Sequence, residues 1–146
     1  MSETKKQNHK LLNDLKQNAQ MGISAINAIL QKSDDDAINK DLSESLHKLR
    51  AVEAEIKKEM KSRNIAEEKT SALGELGLKA SVNMNMMMNK APTHIAQMVM
   101  KGNNMGIIDA TRSMHNNKSA DTSLKALAEK LIQVEASSSE TIKNYL

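Results

Sequence analysis

Asn83–Asp109, NMNMMMNKAPTHIAQMVMKGNNMGIID, is the stretch on which the fold turns. Pro92 divides it. Proline breaks a helix interior but is tolerated in the first turn, where its missing N–H would have had no partner. A new helix is therefore expected over about 92–115, and the methionine-rich residues before it close an earlier one, about 71–90. The apolar arc of the later helix holds Ile95, Met98, Val99, Met105, Gly106 and Ala110. Asn103 and Asp109 also fall inside that arc, and His94 and Arg112 at its edge.

Outward from this stretch, apolar residues recur at alternating spacings of three and four, the period of an amphipathic helix. Leu12, Leu15, Ala19, Gly22, Ile26 and Ile29 mark a helix over about 4–32. Leu42, Leu46, Leu49, Glu53, Ile56 and Met60 mark a second over about 35–63, which places Glu53 at a core position. Ser33 and Asp34 to Asp36 offer a cap and negative charge for its first turn. Leu124, Leu127, Leu131, Val134, Ser138, Ile142 and Tyr145 mark a last helix over about 121–145. Short connections make the first two helices one antiparallel hairpin and the last two another. Gln20-Met21-Gly22-Ile23 and Asn104-Met105-Gly106-Ile107 match, as in a duplicated hairpin, with helix 71–90 as the crossover between the halves. Residues 1–146 thus read as a single all-α domain.

Composition excludes several chemistries. The absence of cysteine removes disulfides, thiolate metal sites and thiol nucleophiles. The single aromatic, Tyr145, leaves an aliphatic and methionine core and no platform for stacking bases. Basic and acidic residues, 21 and 18, are interspersed, so no nucleic-acid partner is expected. The N-terminus has no apolar signal core, and no run approaches a membrane span, so a cytoplasmic protein with no membrane partner is expected. His9, His47, His94 and His115 lack zinc spacing, and Ser137 to Ser139 lack a base.

The phrases QNAQMGISAI (17–26) and HIAQMVMKGNNMGIIDATR (94–112), set in two hairpins joined by a crossover, resemble the uncharacterised ferritin-like helical proteins of Gram-positive bacteria. That resemblance implies a ferritin-like four-helix bundle with an extra crossover helix. Di-metal enzymes of that architecture need carboxylates on two helices and Glu-x-x-His on the other two. The first helix has no Glu after Glu3, Glu53 and Glu135 are followed three residues on by Ile56 and Ser138, and Glu44-x-x-His47 lies opposite the apolar stripe. The ligand set is incomplete, so no enzyme activity and no cofactor are expected.

Two constellations remain. An acid inside an apolar arc must be paired or protonated; Asp109 is expected to be satisfied by Arg112, a lysine or the backbone. Alternatively Glu53, His94, Asp109 and Glu135 form a remnant metal site. Eight of the eleven methionines lie between Met84 and Met114. Met84, Met87, Met88, Met98 and Met105 read as core or subunit packing, or alternatively as ligands for a soft ion such as Cu(I) or for an apolar molecule. Met86 and Met100 hint at an exposed strip. The functional expectation is a non-enzymatic bundle acting through homo-oligomerisation, a dimer in the first instance, or a protein partner. A soft-metal or apolar-ligand binder and a degenerate di-metal carboxylate protein are the alternatives.

Overall fold

The structure, a computed structural model, describes residues 1–68, 82–86 and 89–146. Among these, four long helices account for most of the chain: α1 (Glu3–Leu30), α2 (Asp36–Ser62), α3 (Pro92–Asn116) and α4 (Thr122–Ile142). Residues 82–86 are also helical, and a 3₁₀ turn, Lys143–Tyr145, extends α4. The bounds follow local chemistry. Ser2 accepts from the Lys5 N–H at 3.2 Å to start α1, Asp35 accepts from Ile38 N–H at 2.9 Å to start α2, and Pro92 opens α3. Helix α2 stops where Asn64 turns left-handed, φ 56°, while Ile65 N–H bonds the Met60 carbonyl at 2.8 Å and Asn64 N–H that of Lys61 at 3.2 Å.

Long-range hydrogen bonds give the helix order. Asn18 donates to the Gly106 carbonyl at 2.8 Å and Ser113 to Asp14 at 2.8 Å, so α3 runs antiparallel to α1. Ser45 meets Ser138 at 3.1 Å and Lys130 meets Glu55 at 2.9 Å, so α4 runs antiparallel to α2. Each helix therefore packs on its hairpin partner and on one helix of the other hairpin, and α1 and α4 touch much less. Arg63, just past α2, donates to Asp121 at 2.6 Å, while Thr93 at the opposite end donates to the Tyr145 carbonyl at 3.0 Å. The chain between α2 and α3 thus starts and finishes at opposite ends of the bundle, about 35 Å apart for helices of this size.

That journey begins in a polar cradle on α1. Asn13 and Lys16 are nearly inaccessible. Asn13 donates to the Ala66 carbonyl at 3.4 Å and accepts from the Glu68 N–H at 2.9 Å; the Lys16 ammonium donates to the Glu68 carbonyl. These side chains satisfy backbone groups that no helix ladder serves. The helix expected over 71–90 lies mostly outside the described residues, as do Met87 and Met88. Its described part sends Val82 and Met86 into the core.

Several expected core positions move. Val52, not Glu53, is buried on α2, and on α4 Ala128 and Glu135 are buried, with Leu127 and Val134 packing half-buried against the core beside them. In each case the neighbouring position also fits the three-four spacing, and the packing partner decides between them. Met86 is fully buried instead of exposed, and Met100 packs against the core. Met84 and Met105, expected to be covered, are 66% and 61% exposed. Asp109, expected inside the apolar arc, has a side chain 63% exposed.

The helix ends give two predictions. Asn64→Gly should be neutral or slightly stabilising, and Asn64→Ala should cost about 0.5–1 kcal/mol in urea denaturation, because a Cβ resists the left-handed region. The Arg63 guanidinium, with help from Asn8, holds the Asp121 carboxyl below its ordinary range. A depressed folded-state value stabilises above the unfolded value and loses that contribution as pH falls through the folded one. Asp121→Asn, which removes the charge that faces Arg63 at nearly constant size, should therefore lower the denaturation midpoint at neutral pH, and the deficit should vanish in strong acid.

Candidate functional site

A cleft of about 310 Å³ opens between α1 and α3, with residues 82–86 beside it. Ala25 and Gly102 face it with little or no side chain, while Gly22 and Gly106 let Leu49 and Glu135 lie against the backbone at its wall. Its walls are apolar, from Ile26, Ile29, Leu49 and Val99 within to Met21, Met98 and Met105 nearer the opening. Asn18, Asn85 and Asn103 supply amides, and the titratable groups lining it are Lys101, Asp109 and Glu135. Asn18 holds α1 to α3 through the Gly106 carbonyl, and Asn103 donates to Ser139 at 3.0 Å to tie α3 to α4.

Glu135 is the group that sets this cleft apart. It is 5% exposed, and its Oε1 is buried with no hydrogen-bond partner among the described residues. No lysine or arginine among the described residues forms an ion pair with it. The carboxyl lies directly on the backbone of α3: a Cβ added at Gly106 would stand 1.8 Å from Oε2. Only glycine leaves that space. Burial, and then the Asp109 carboxylate, push the Glu135 carboxyl up to about 8. Removal from water disfavours the ionised form, and a second acid nearby disfavours it further. Glu135 is thus a largely protonated acid at neutral pH.

The residues singled out from sequence fare differently. Asp109, Glu135, Met98 and Met105 do meet at the cleft. Glu53 does not line it; it lies on α2 with Lys57 Nζ 3.8 Å away. His94, in the first turn of α3, is half-buried, its Nε2 has no partner among the described residues, and it too lies outside the cleft lining. Met84 points to solvent. The four-residue metal constellation is therefore not assembled, and no group of three His, Cys, Asp or Glu side chains suited to a metal occurs among the described residues. Asp109 has Arg112 4.0 Å away as expected, but both are solvated, so it is not the buried acid the sequence pointed to. Glu44 and His47 are exposed on α2.

Sequence reasoning placed Gly22, Gly106 and Asn103 on apolar faces but did not join them, or Asn18 and Asn85, into a site, although a signal for the glycines was present. The duplicated Met-Gly pairs, Met21-Gly22 and Met105-Gly106, all line the cleft, brought level by the antiparallel register of α1 and α3. Each glycine admits a side chain of its own hairpin partner. A Cβ at Gly22 would meet Leu49 Cδ1 at 3.2 Å, where Gly106 meets Glu135. One hairpin inserts a leucine and the other a carboxylic acid.

No protein-family model matches this chain, and no curated protein or solved structure is significantly similar to it.

The raised value of Glu135 has a stability consequence of opposite sign to that of Asp121. Above its ordinary value the unfolded chain has released a proton that the folded protein still holds, so stability declines as pH rises through this window and levels off above about 8. Glu135→Gln removes the titration. It should gain on the wild type by about 1–3 kcal/mol between mildly acidic and alkaline buffer, read from urea midpoints. Gly106→Ala should displace the carboxyl into the cleft and return its titration, followed by carbon-detected NMR, toward the ordinary range.

Proposed function

We propose that this chain is a non-enzymatic, ferritin-like four-helix bundle that acts by binding, and that the α1–α3 cleft is where it binds. The observation that carries this reading is the cleft's construction: an apolar recess of about 310 Å³ with one buried acid at its wall. Small-molecule sites have this character, mostly apolar with few polar groups, at volumes from about 300 Å³ upward. Methionine suits such a wall, because its flexible thioether adapts to ligands of different shape. The ferritin-like reading is supported by the helix order, two antiparallel hairpins whose connected ends lie at opposite ends of the bundle.

Dimerisation through the same surface is a second reading. Met21 and Met105 are 46% and 61% exposed at the opening, and Ile108, one turn beyond Met105, is 46% exposed. Large apolar side chains gathered on one face favour coverage by another molecule.

The test exploits Gly102, where an added Cβ meets nothing within 4 Å. Gly102→Leu should fill the cleft from its open side without disturbing the core. An environment-sensitive apolar dye should bind the wild type with micromolar affinity and Gly102→Leu at least roughly tenfold more weakly, a loss of about 1.4 kcal/mol. Equal binding by both proteins would remove the cleft from consideration. Light scattering over a concentration series, with Met105→Lys as control, checks dimerisation: a dimer that the substitution dissociates is expected.

A further inference from the structure

Glu135 presents a chemical asymmetry. Its carboxyl is buried against Gly106, lines an open apolar cleft, and has an oxygen with no partner among the described residues. Buried polar groups in proteins are nearly always satisfied, so an orphan that borders a ligand-sized recess marks where a ligand's polar group belongs. Of the other charged groups lining the cleft, Asp109 is an acid and Lys101 is a base, and neither pairs with Glu135. From α1 and α2 the lining is apolar or amide: Asn18, Met21 and Ile26 from the first, Leu49 from the second.

Resting on the cleft reading above, we propose that the ligand is an amphipathic amine, whose ammonium sits against the Glu135 carboxyl and whose apolar body runs along Met21, Met98 and Met105. A neutral molecule would leave the acid protonated and offer only uncharged hydrogen bonds. An ammonium supplies a cation that no described residue pairs with this carboxyl, and it converts the acid to its carboxylate; hydrogen bonds between charged partners are about twice as strong as neutral ones. Asp109 at the opening reinforces the preference for positive charge, and Arg112 beside it at 4.0 Å is too solvated to neutralise the cleft. Ionisation releases the acid's proton to solvent as the ammonium enters. Binding is therefore linked to pH: below about 8, each tenfold rise in proton concentration weakens the amine, and above it the affinity is flat.

The probes are octylamine and its neutral counterpart octanol, titrated calorimetrically into the intact chain in mildly acidic and in alkaline buffer. The amine stays protonated over this range, as a lysine side chain does. Octylamine should bind roughly tenfold or more tightly than octanol in alkaline buffer, with most of that advantage lost in acid. Glu135→Gln should abolish the advantage and leave octanol binding intact; Gly102→Leu should weaken both probes. If octanol matches octylamine in alkaline buffer, or Glu135→Gln keeps the preference, the amine assignment fails while the cleft reading stands. If neither probe binds the wild type, the cleft reading fails and takes the assignment with it.

Discussion

The hydrogen bond from Asn18 to the Gly106 carbonyl, with that from Ser113 to Asp14, sets the register of α1 against α3, and everything at the cleft depends on that register. A core without Phe or Trp presents leucine, isoleucine and methionine surfaces that look much alike from one turn to the next. Such surfaces bind well but specify position poorly. Directional polar pairs supply what the packing lacks. Each is worth only about 1 kcal/mol when made, yet a slipped register would leave donors buried and unmet at about 1–3 kcal/mol apiece. Ser45 with Ser138 and Asn103 with Ser139 do the same for the packing of α4.

The lower half of α3 shows how packing and site formation are one problem. Its buried face there is Asn103, Gly106, Ala110 and Ser113, all short. Short side chains bring α4 close enough for Glu135 to reach the α3 backbone, and on the flank toward α1 they leave space that no side chain of the described residues refills. The cleft is the remainder of that close approach. Among the described residues, atoms along its walls have no neighbour on one side, and a bound molecule would restore the dispersion attraction they lack.

Much of the architecture was legible in the sequence, because three-four spacing and local caps act over a few residues. Helix bounds at Glu3, Asp36 and Pro92 fall within a residue or two of where those signals put them. Face assignments were legible only where one position was apolar and its neighbour was not. At Val52 and Glu53, and at Val134 and Glu135, either choice satisfied the spacing, and the outcome depended on what the opposing helix offered. The acid at 135 is buried because position 106, 29 residues away, has no side chain, a condition no local pattern encodes. Asn13 and Lys16 illustrate the same limit. They sit inside an apolar stripe because the backbone at 66–68 needs them, and sequence periodicity does not record that need.

The contact between Gly106 and Glu135 also binds the two positions through descent. A side chain gained at 106 evicts the acid from its place, and an acid lost from 135 leaves a void that a larger residue at 106 is free to fill. Each change alone is penalised and the pair together is not. Diverging copies of this chain would therefore keep both residues or exchange both, so the acid site is inherited or discarded as a unit.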